Sequence, residues 1–560
     1  MLERTRLRRF GLWAGGVGAA LTVGALAVTG LSAASPPAAK PYLRAFPEFA
    51  PDVTPQMPGD IDNELKGQLD QAKKFSQVQR EFDLYSWQMF FALNWPTNNQ
   101  GEAAPSLTDT AFGAPHWTLW HSSASIYQVD GAKPRACSAD GKLRAMALTR
   151  DLSEPVSKGL KAFSVQATAN ADPRRKRFLG VISAVGELNA SNVGLSEIGQ
   201  AFTGPLVDQN GEFVYYEIMV DPNETGYLCD QKLYNINGQV AFAGAGKTVD
   251  MPLGDERQDW SGSFELKFAW KILKPGVDDP SRFYTTAATI IDVDAKGKQV
   301  ERNVTVGLVG MHIGHKSVSS PQWVWSTFEQ VDNLDVDPVA HPNLHPSFTD
   351  PNCPLCTVNQ QPQAVNGVYP KTPIQAWRAI PIPGDKVALN AEVRAAMARQ
   401  GSIWQYYQLI DTQWPISPKT PPSKWDAGLP QAVANKPGGQ PTPVFLTNIT
   451  METYFQWGAQ EACNSEEAVP KAAKCVGPPS VPSATARPAV WTTPMNNGPG
   501  GMKPGVHTNI FATESCMGCH SSAGIWTSYD PATGKGDQSG QLTGDFSWLM
   551  SQKAAWNKGS

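Results

Sequence analysis

Two cysteines and a histidine near the end of the chain carry the most specific chemical signal in the sequence. Cys516 and Cys519 are three positions apart and His520 follows directly, which gives the pattern C-x-x-C-H. Thiols at this spacing lie on one side of a helical turn and can each bond one vinyl group of a haem. The adjacent imidazole is then placed to coordinate the iron. The pattern predicts one covalent haem c, held by Cys516 and Cys519 with His520 as axial ligand. A disulfide or half of a zinc site is the alternative for so short a motif.

Residues 1–34 have the composition of an export signal. Four arginines within residues 1–9 precede an uncharged apolar run from Phe10 to about Leu31, and small residues through Ala34 form a cleavage-site pattern. We expect cleavage near Ala34 and a periplasmic protein, because haem c is attached outside the cytoplasm. The run is also long enough to span a bilayer, so an uncleaved anchor in the inner membrane is the alternative.

Charge and composition exclude some classes of protein and favour one kind of fold. Without residues 1–34 the chain has 43 basic and 50 acidic side chains, a net charge of −7. It has no cluster of basic and aromatic residues that would indicate a nucleic-acid partner. The 49 glycines, 46 prolines and 18 tryptophans favour strands and loops over a helical bundle. We therefore predict an α+β fold that is predominantly β.

Hydrophobic periodicity divides the mature chain into four regions. A helix is predicted over residues 61–93, where apolar side chains recur at helical spacing, and the sequence then changes to strand-like patterns. The predicted regions are an extended segment and helix (35–96), a β-rich domain (97–345), a loop-rich connector (346–443) and a mostly α-helical and loop haem c module (444–560).

Residues 83–91 are dense in aromatic side chains and are predicted to be core. The connector is predicted to contain a short helix from Asn390 through Ala398 and a strand over 403–414, and the haem module a helix from Thr447 or Asn448 to about Trp457.

The β-rich region contains one clear strand and several weaker ones. Residues 264–272 alternate apolar and polar side chains, which is typical of a half-buried strand. Residues 304–313 and 323–331 are predicted to be two further strands. The first of these contains Gly307, Gly310 and Gly314, and glycines inside a strand mark bulges or places where another group approaches the backbone closely.

The six cysteines outside the haem motif predict three disulfides, because the number is even and the protein carries an export signal. Proximity in the sequence favours the pairs Cys137–Cys229, Cys353–Cys356 and Cys463–Cys475. The second pair is also a C-x-x-C motif, but Thr357 follows it, so it lacks the iron ligand. A redox-active dithiol is the alternative to a structural disulfide there.

The sequence alone does not identify the second axial ligand of the predicted haem. Met550 and His507 are candidates from the region around the motif, with Met502 and Met495 behind them, and His312 is a candidate from the β-rich region. Ligation by methionine and histidine suits electron transfer, whereas a vacant sixth position suits activation of a small oxidant.

His312, His315 and Glu329 are the weaker candidates for a second site, with a catalytic or metal-binding role. If the chain is extended there, the two histidines project to opposite faces and do not share a metal easily. If it turns after Ile313, the three side chains converge as a site with two nitrogens and one oxygen. A pair of hydrogen-bonded structural histidines is the alternative.

Several blocks of the sequence resemble a family of exported bacterial proteins described as cytochrome c family proteins. The blocks extend from residue 87 to residue 520 and so span most of the mature chain. The resemblance implies one haem c per chain and a periplasmic setting, and it brings no defined reaction. The blocks are Trp87–Pro96, Glu265–Lys271, Gly310–Lys316, Pro321–Glu329, Asn448–Tyr454 and the C-x-x-C-H motif.

Together these features predict a periplasmic monohaem cytochrome that passes electrons to or from an unidentified partner. The alternative is a haem-dependent oxidoreductase, peroxidase- or oxygenase-like, with a small-molecule pocket between the β-rich domain and the haem. The length of the chain favours the enzyme, because a protein that only carries electrons does not need more than 400 residues beyond its haem-binding part. The lack of a recognisable acid/base pair favours the carrier. An exported haem sensor or binding protein is a further alternative.

Overall fold

The computed structural model describes most of the chain between residue 53 and residue 559, all of it within one compact unit that spans residues 40–560. The described residues are 53–137, 176–180, 200, 204–258, 260–293, 299–353, 356–365, 369–378, 382–414, 425–426, 429–430, 448–455, 516, 520, 523–539 and 543–559. The predicted export signal lies outside these residues. No helix in the described part of the chain is long and apolar enough to cross a bilayer.

Helices and strands alternate irregularly along the chain. The described helices are α1 (Asn63–Gln71), α2 (Phe75–Leu93), α3 (Ser123–Ile126), α4 (Pro222–Asp230), α5 (Ile236–Gly244), α6 (Gly384–Arg399) and α7 (Leu549–Lys553). The described strands are β1 (Pro96–Thr97), β2 (Ala114–Pro115), β3 (His121–Ser122), β4 (Lys176–Gly180), β5 (Tyr215–Val220), β6 (Ser263–Ile272), β7 (Thr285–Val293), β8 (Gln299–Lys316), β9 (Val324–Gln330), β10 (Tyr407–Gln413), β11 (Trp425–Asp426) and β12 (Leu429–Pro430).

One sheet of eight described strands is built around the long strand β8. One edge of β8 pairs with β6, and its other edge pairs first with β7 and then with β9, all antiparallel. The sheet continues through β5 to β3 on one side and through β10 on the other, and β4 pairs in parallel with β7. The alternating pattern at residues 264–272 thus correctly predicted β6, and the patterns at 304–313 and 323–331 correctly predicted parts of β8 and β9.

Helix α2 covers one side of this sheet. Every residue of α2 from Glu81 to Leu93 is buried, which is expected of a helix whose apolar residues occupy all of its sides. Phe82 stacks on Trp414 with ring centroids 4.5 Å apart, and Phe90 packs on Phe328 of β9 at 4.4 Å. These aromatic contacts anchor the helix and place it in the centre of the core.

The helix predicted over residues 61–93 is present, but its predicted continuity is wrong. The chain breaks between α1 and α2, where Lys73 adopts a left-handed backbone conformation with φ of 55°. Helix α1 begins at the cap Asp62, whose carboxylate accepts hydrogen bonds from two backbone amides, and Leu69 is its buried residue. The break lets the mostly polar α1 stay at the surface while α2 enters the core.

The fold is a mixture of helix and antiparallel sheet. Helices account for 28% and strands for 23% of the described residues, so the predicted predominance of β structure is not confirmed. Part of the difference is α6, which begins at Gly384 and is longer than the helix predicted from Asn390. Another part is the segment Ile403–Tyr406, predicted as strand, which forms a 3-10 turn capped by Ser402 before β10 begins. The separate haem module stays a prediction.

Candidate functional site

The two faces of the central sheet carry different kinds of side chain. Paired residues on neighbouring antiparallel strands point to the same face, so His312, its partner Lys267 on β6 and its partner Thr327 on β9 lie together. We call this side the front face, defined by Glu265, Lys267, His312, Trp325 and Thr327. The opposite side, here the back face, is defined by Phe264, Phe268, Met311, His315 and Phe328, and α2 packs against it.

His520 of the C-x-x-C-H motif packs on the front face. Its ring lies over Trp325, with the ring centroids 4.5 Å apart. Its Nδ1 is 2.8 Å from the backbone oxygen of Phe546, and because a carbonyl only accepts, Nδ1 carries the proton. The other ring nitrogen, Nε2, therefore has the free electron pair that a metal ion requires.

A strained turn presents the Phe546 carbonyl to His520. Asp545 and Phe546 both adopt left-handed backbone conformations, with φ of 49° and 65°. The turn is held from the end of β8, because Lys316 Nζ lies 2.6 Å from the Asp545 carboxylate, which also accepts the Met251 amide at 2.7 Å. Strained backbone of this kind concentrates at functional sites. The sheet thereby fixes the orientation of the His520 ring.

Burial also keeps the His520 ring neutral. It lowers the pKa of His520 to about 4, and the neighbouring side chains of His312 and Lys267 act in the same direction. The hydrogen bond to Phe546 and the charge of Glu452 act in the opposite direction and are outweighed. A neutral imidazole is the form that binds a metal ion, so at neutral pH His520 is ready to do so without losing a proton.

The described cysteine of the motif lies in an apolar environment close to this histidine. Cys516 is half-buried and packs against a cluster of buried side chains that includes Trp325, Phe546 and Met550. Cys519 lies outside the described residues. An apolar wall, a neutral histidine with a free Nε2 and a half-buried thiol are compatible with a covalently attached haem.

His312 forms a polar pair that the sequence did not reveal. Its Nε2 is 2.8 Å from Oε1 of Glu452, and its Nδ1 is hydrogen-bonded to the hydroxyl of Thr327. The second oxygen of Glu452 accepts the backbone amide of Asn448 at 2.9 Å. Burial acts to raise the pKa of Glu452, but His312, Lys267 and these hydrogen bonds together outweigh it and lower that pKa. Glu452 is therefore held as a carboxylate beside His312.

The segment that carries Glu452 packs closely on β8. A side chain at Gly310 would place its Cβ 2.1 Å from Oγ1 of Thr450 and 3.1 Å from Oδ1 of Asn448. The prediction that glycines in this strand permit close approach is confirmed here. Instead of the helix predicted from Asn448 to about Trp457, the described part forms a turn and a 3-10 segment, Thr453–Phe455.

His315 lies on the back face and is fully buried there. Its ring stacks on Phe264 with centroids 3.9 Å apart, its Nδ1 is hydrogen-bonded to the hydroxyl of Tyr85, and its Nε2 donates to the Ser261 carbonyl at 2.6 Å. Burial lowers the pKa of His315 to about 3. Both ring nitrogens form hydrogen bonds inside the core, so His315 is a structural histidine, which was the alternative to a catalytic or metal-binding role.

The three side chains His312, His315 and Glu329 do not converge, because β8 is extended through both histidines and they point to opposite faces. Glu329 is buried, bonded to Arg378 and to the backbone amide of Ile449 at 2.7 Å. Within the described ranges, no group of three histidine, cysteine, aspartate or glutamate side chains is suited to hold a metal ion. The site with two nitrogens and one oxygen is therefore not formed.

The candidates for the second axial ligand of the predicted haem differ in whether their side chains are already hydrogen-bonded. Met550 is buried in the same apolar cluster that Cys516 packs against, with its backbone oxygen bonded to Gln239. Both ring nitrogens of His312 already have partners, so this residue would have to give up Glu452 or Thr327 to coordinate iron. His507, Met502 and Met495 lie outside the described residues.

Two of the three predicted disulfides are confirmed. Cys137 pairs with Cys229, which joins the 3-10 turn Arg135–Cys137 to helix α4, and Cys353 pairs with Cys356. Cys463 and Cys475 lie outside the described residues. The disulfide at Cys353 makes this second C-x-x-C motif a closed short loop, in keeping with the structural interpretation.

No known protein family, characterised protein or solved structure matches this chain.

Proposed function

We propose that this protein is a periplasmic c-type cytochrome that carries one haem and transfers electrons to or from a redox partner. The observation that carries the proposal is the orientation of His520. Its Nδ1–H is bonded to the Phe546 carbonyl, which leaves Nε2 free, and histidine ligands of metals are commonly oriented by such a bond on the other nitrogen. The C-x-x-C-H spacing and the predicted export signal support the same conclusion.

The residues that would hold the haem are Cys516 and Cys519 through their thiols and His520 through its imidazole. When bound, the haem supplies a carrier for one electron. The protein's own part is to bury the imidazole, to keep it neutral and to hold its plane through Phe546. Trp325 packs against the ring and limits its rotation.

A second candidate function is supported by the His312–Glu452 pair. A histidine hydrogen-bonded to a half-buried carboxylate is the arrangement of a general acid/base, and both residues act on the pKa of His520. An acid/base pair is what the enzyme interpretation of the sequence lacked. It favours a haem-dependent oxidoreductase, peroxidase- or oxygenase-like, as the alternative to a pure electron carrier.

The first experiment tests for the haem itself. The full chain is exported in a host that attaches haem c, and its mass and absorption spectrum are measured. We expect a coloured protein with the mass of one haem added, and loss of the covalent haem in Cys516→Ala and Cys519→Ala. The matched control is Cys353→Ala, which breaks a C-x-x-C motif that has no following histidine. A colourless protein with the mass of the bare polypeptide would exclude the proposal.

A second experiment separates the carrier from the enzyme. A carrier with two axial ligands is unreactive towards carbon monoxide, whereas an open sixth position binds it. If carbon monoxide binds and peroxide is turned over, Glu452→Gln should lower the turnover about 100-fold while the carbon monoxide spectrum stays the same. Unchanged turnover in Glu452→Gln would remove the acid/base role of the pair.

A further inference from the structure

A pair of glutamates, Glu224 fully buried and Glu265 half-buried with a buried Oε1, lies next to the turn that orients His520. Glu224 is in the first turn of α4, and Glu265 is on the front face at the start of β6. One carboxylate oxygen of Asp221 accepts the backbone amides of both Glu224, at 3.1 Å, and Phe264, at 3.0 Å. This shared acceptor clamps the helix to the strand, so that the two glutamates are neighbours.

These carboxyl groups lack the partners that buried charges need. Both side-chain oxygens of Glu224 and Oε1 of Glu265 are buried without a hydrogen bond among the described residues. The hydroxyl of Tyr127, close enough to feel both glutamate charges, is buried without a partner as well. A buried carboxylate without a partner is strongly unfavourable, and two side by side repel each other.

The other charged groups around the pair are already engaged. Asp221 is satisfied by backbone amides, and the buried cation Lys316 is bonded to Asp545 and Asp250 at 2.6 Å each. Asp545 adds further negative charge near both glutamates. The described residues around the pair do not form a three-ligand metal site. A proton is therefore the positive charge that can neutralise the pair.

The electrostatics of the pair agree with this geometry. Burial raises the pKa of Glu224 far above its ordinary value, and the charge of Glu265 raises it further. Burial also raises the pKa of Glu265, although the nearby side chains of Glu224 and Ser547 offset part of this rise. Because the two carboxyls interact strongly, the protons belong to the pair and not to either residue alone.

The pair is connected to the proposed haem ligand through a single peptide unit. Ser547, whose side chain is close enough to Glu265 to lower its pKa, directly follows Phe546, whose carbonyl accepts the Nδ1 proton of His520. A change of one unit charge at the haem site therefore acts on the protonation of these carboxyl groups, since the effective dielectric constant inside proteins is low.

We propose that Glu224 and Glu265 form a proton-binding site that takes up one proton when the haem site gains one electron. The proposal rests on the haem assignment made above. When the site is oxidised, the pair holds one proton and has a charge of −1. A redox partner then donates one electron, and the pair binds a second proton from water and becomes neutral. Oxidation returns the electron to the partner and the proton to water.

Infrared spectroscopy of the full-length exported protein tests the site directly. A protonated carboxyl has a C=O stretching band separate from that of a carboxylate, and the band shifts in D2O, which needs no variant. We expect the intensity of this band at pH 7 to fall in Glu224→Gln or Glu265→Gln. The matched control Glu392→Gln, half exposed and paired with Arg80, should leave the band unchanged. An unchanged band in both pair variants would overturn the proton site.

The redox half is tested on the coloured protein. On electrochemical reduction, the carboxyl band should grow in the unmodified protein and in Glu392→Gln, and stay constant in Glu224→Gln and Glu265→Gln. The reduction potential should depend on pH with one proton per electron in the first two proteins and with none in the pair variants. Equal pH dependence in all four would overturn the coupling. A colourless protein would instead overturn the haem assignment and the coupling together, while the band at pH 7 still decides the proton site.

Discussion

The two faces of the central sheet use the same strands for different purposes. On the back face, aromatic side chains of β6 and β9 pack against α2, and the one histidine there has both nitrogens bonded inside the core. On the front face, Lys267, His312 and Glu452 act on the charge of His520. His312 and His315 are only three residues apart, yet one belongs to a charged site and the other to the core.

The difference shows how a sheet separates stability from chemistry. Successive side chains of a strand alternate between faces, so a single strand can supply core residues and site residues without compromise. The apolar face fixes the strand positions to high precision, and the polar face uses that precision to hold a carboxylate beside His312 and a carbonyl beside His520. Substitutions on the two faces should therefore have different consequences.

The largest expected effect on stability comes from comparing substitutions at two adjacent residues of β9, Phe328 on the back face and Thr327 on the front face. Phe328→Ala removes a fully buried ring from the back face and should lower the free energy of unfolding by about 3–5 kcal/mol, with the spectrum of the proposed haem unchanged. Thr327→Val removes the hydroxyl that binds His312 on the front face and should lower the free energy of unfolding by about 1 kcal/mol, with an altered reduction potential of the proposed haem. Denaturant unfolding and redox titration of both variants test this. A reversed pattern would contradict the separation of the faces.

A smaller effect is expected where the segment with Glu452 meets β8. Gly310→Ala forces Thr450 away from the strand and should lower the free energy of unfolding by about 1–3 kcal/mol. The matched control is Gly226→Ala on α4, where a Cβ meets nothing within 4 Å, and it should be neutral or stabilising by up to about 1 kcal/mol. Urea unfolding of both variants measures these changes. Equal changes in the free energy of unfolding would mean that the close packing of Thr450 on β8 does not require a glycine at position 310.

The smallest effect concerns the pH dependence of His315. Its pKa in the folded protein is about 3, well below the ordinary value of 6.5, so the unfolded chain binds more protons between these values. The stability contributed by the neutral ring is complete above about pH 6.5 and is lost as the pH falls towards 3. The substitution His315→Gln should therefore lower the free energy of unfolding less at pH 5.5 than at pH 7, and the difference should be roughly 1 kcal/mol.

The control for this pH dependence is Leu266→Ala, which also removes a buried side chain of the back face but no titrating group. Its effect on the free energy of unfolding should be the same at both pH values. If His315→Gln behaves like Leu266→Ala, the pKa of His315 in the folded protein is the same as in the unfolded chain.

Local patterns predicted the parts of this fold that depend on local spacing. The alternation at residues 264–272 identified β6, and the density of aromatic residues at 83–91 identified the core of α2. The break at Lys73 was missed, because residues on both sides of it continue the same helical spacing and only packing against the sheet requires the turn. The length of α6 was underestimated for a similar reason, since its buried face is set by the strands beneath it.

The candidate site was only partly accessible from sequence. The C-x-x-C-H motif pointed to His520, but its orienting partner is a backbone carbonyl, which every residue possesses and no motif can mark. Glu452 and Asp545 were missed because their partners His312 and Lys316 are 140 and 229 residues away. A spacing signal exists only when both members of a pair lie on the same element.

The sequence by itself determined the spacing of the two thiols and the imidazole, and the odd separation that sends His312 and His315 to opposite sides wherever the chain is extended. Both follow from the fixed geometry of a few consecutive residues. Only the tertiary structure decided which side became the core, which carboxylate met His312 and which carbonyl met His520. Those outcomes depend on chain segments that are distant in sequence and are brought together by burial of apolar surface, which specifies where segments pack but leaves no local pattern of its own.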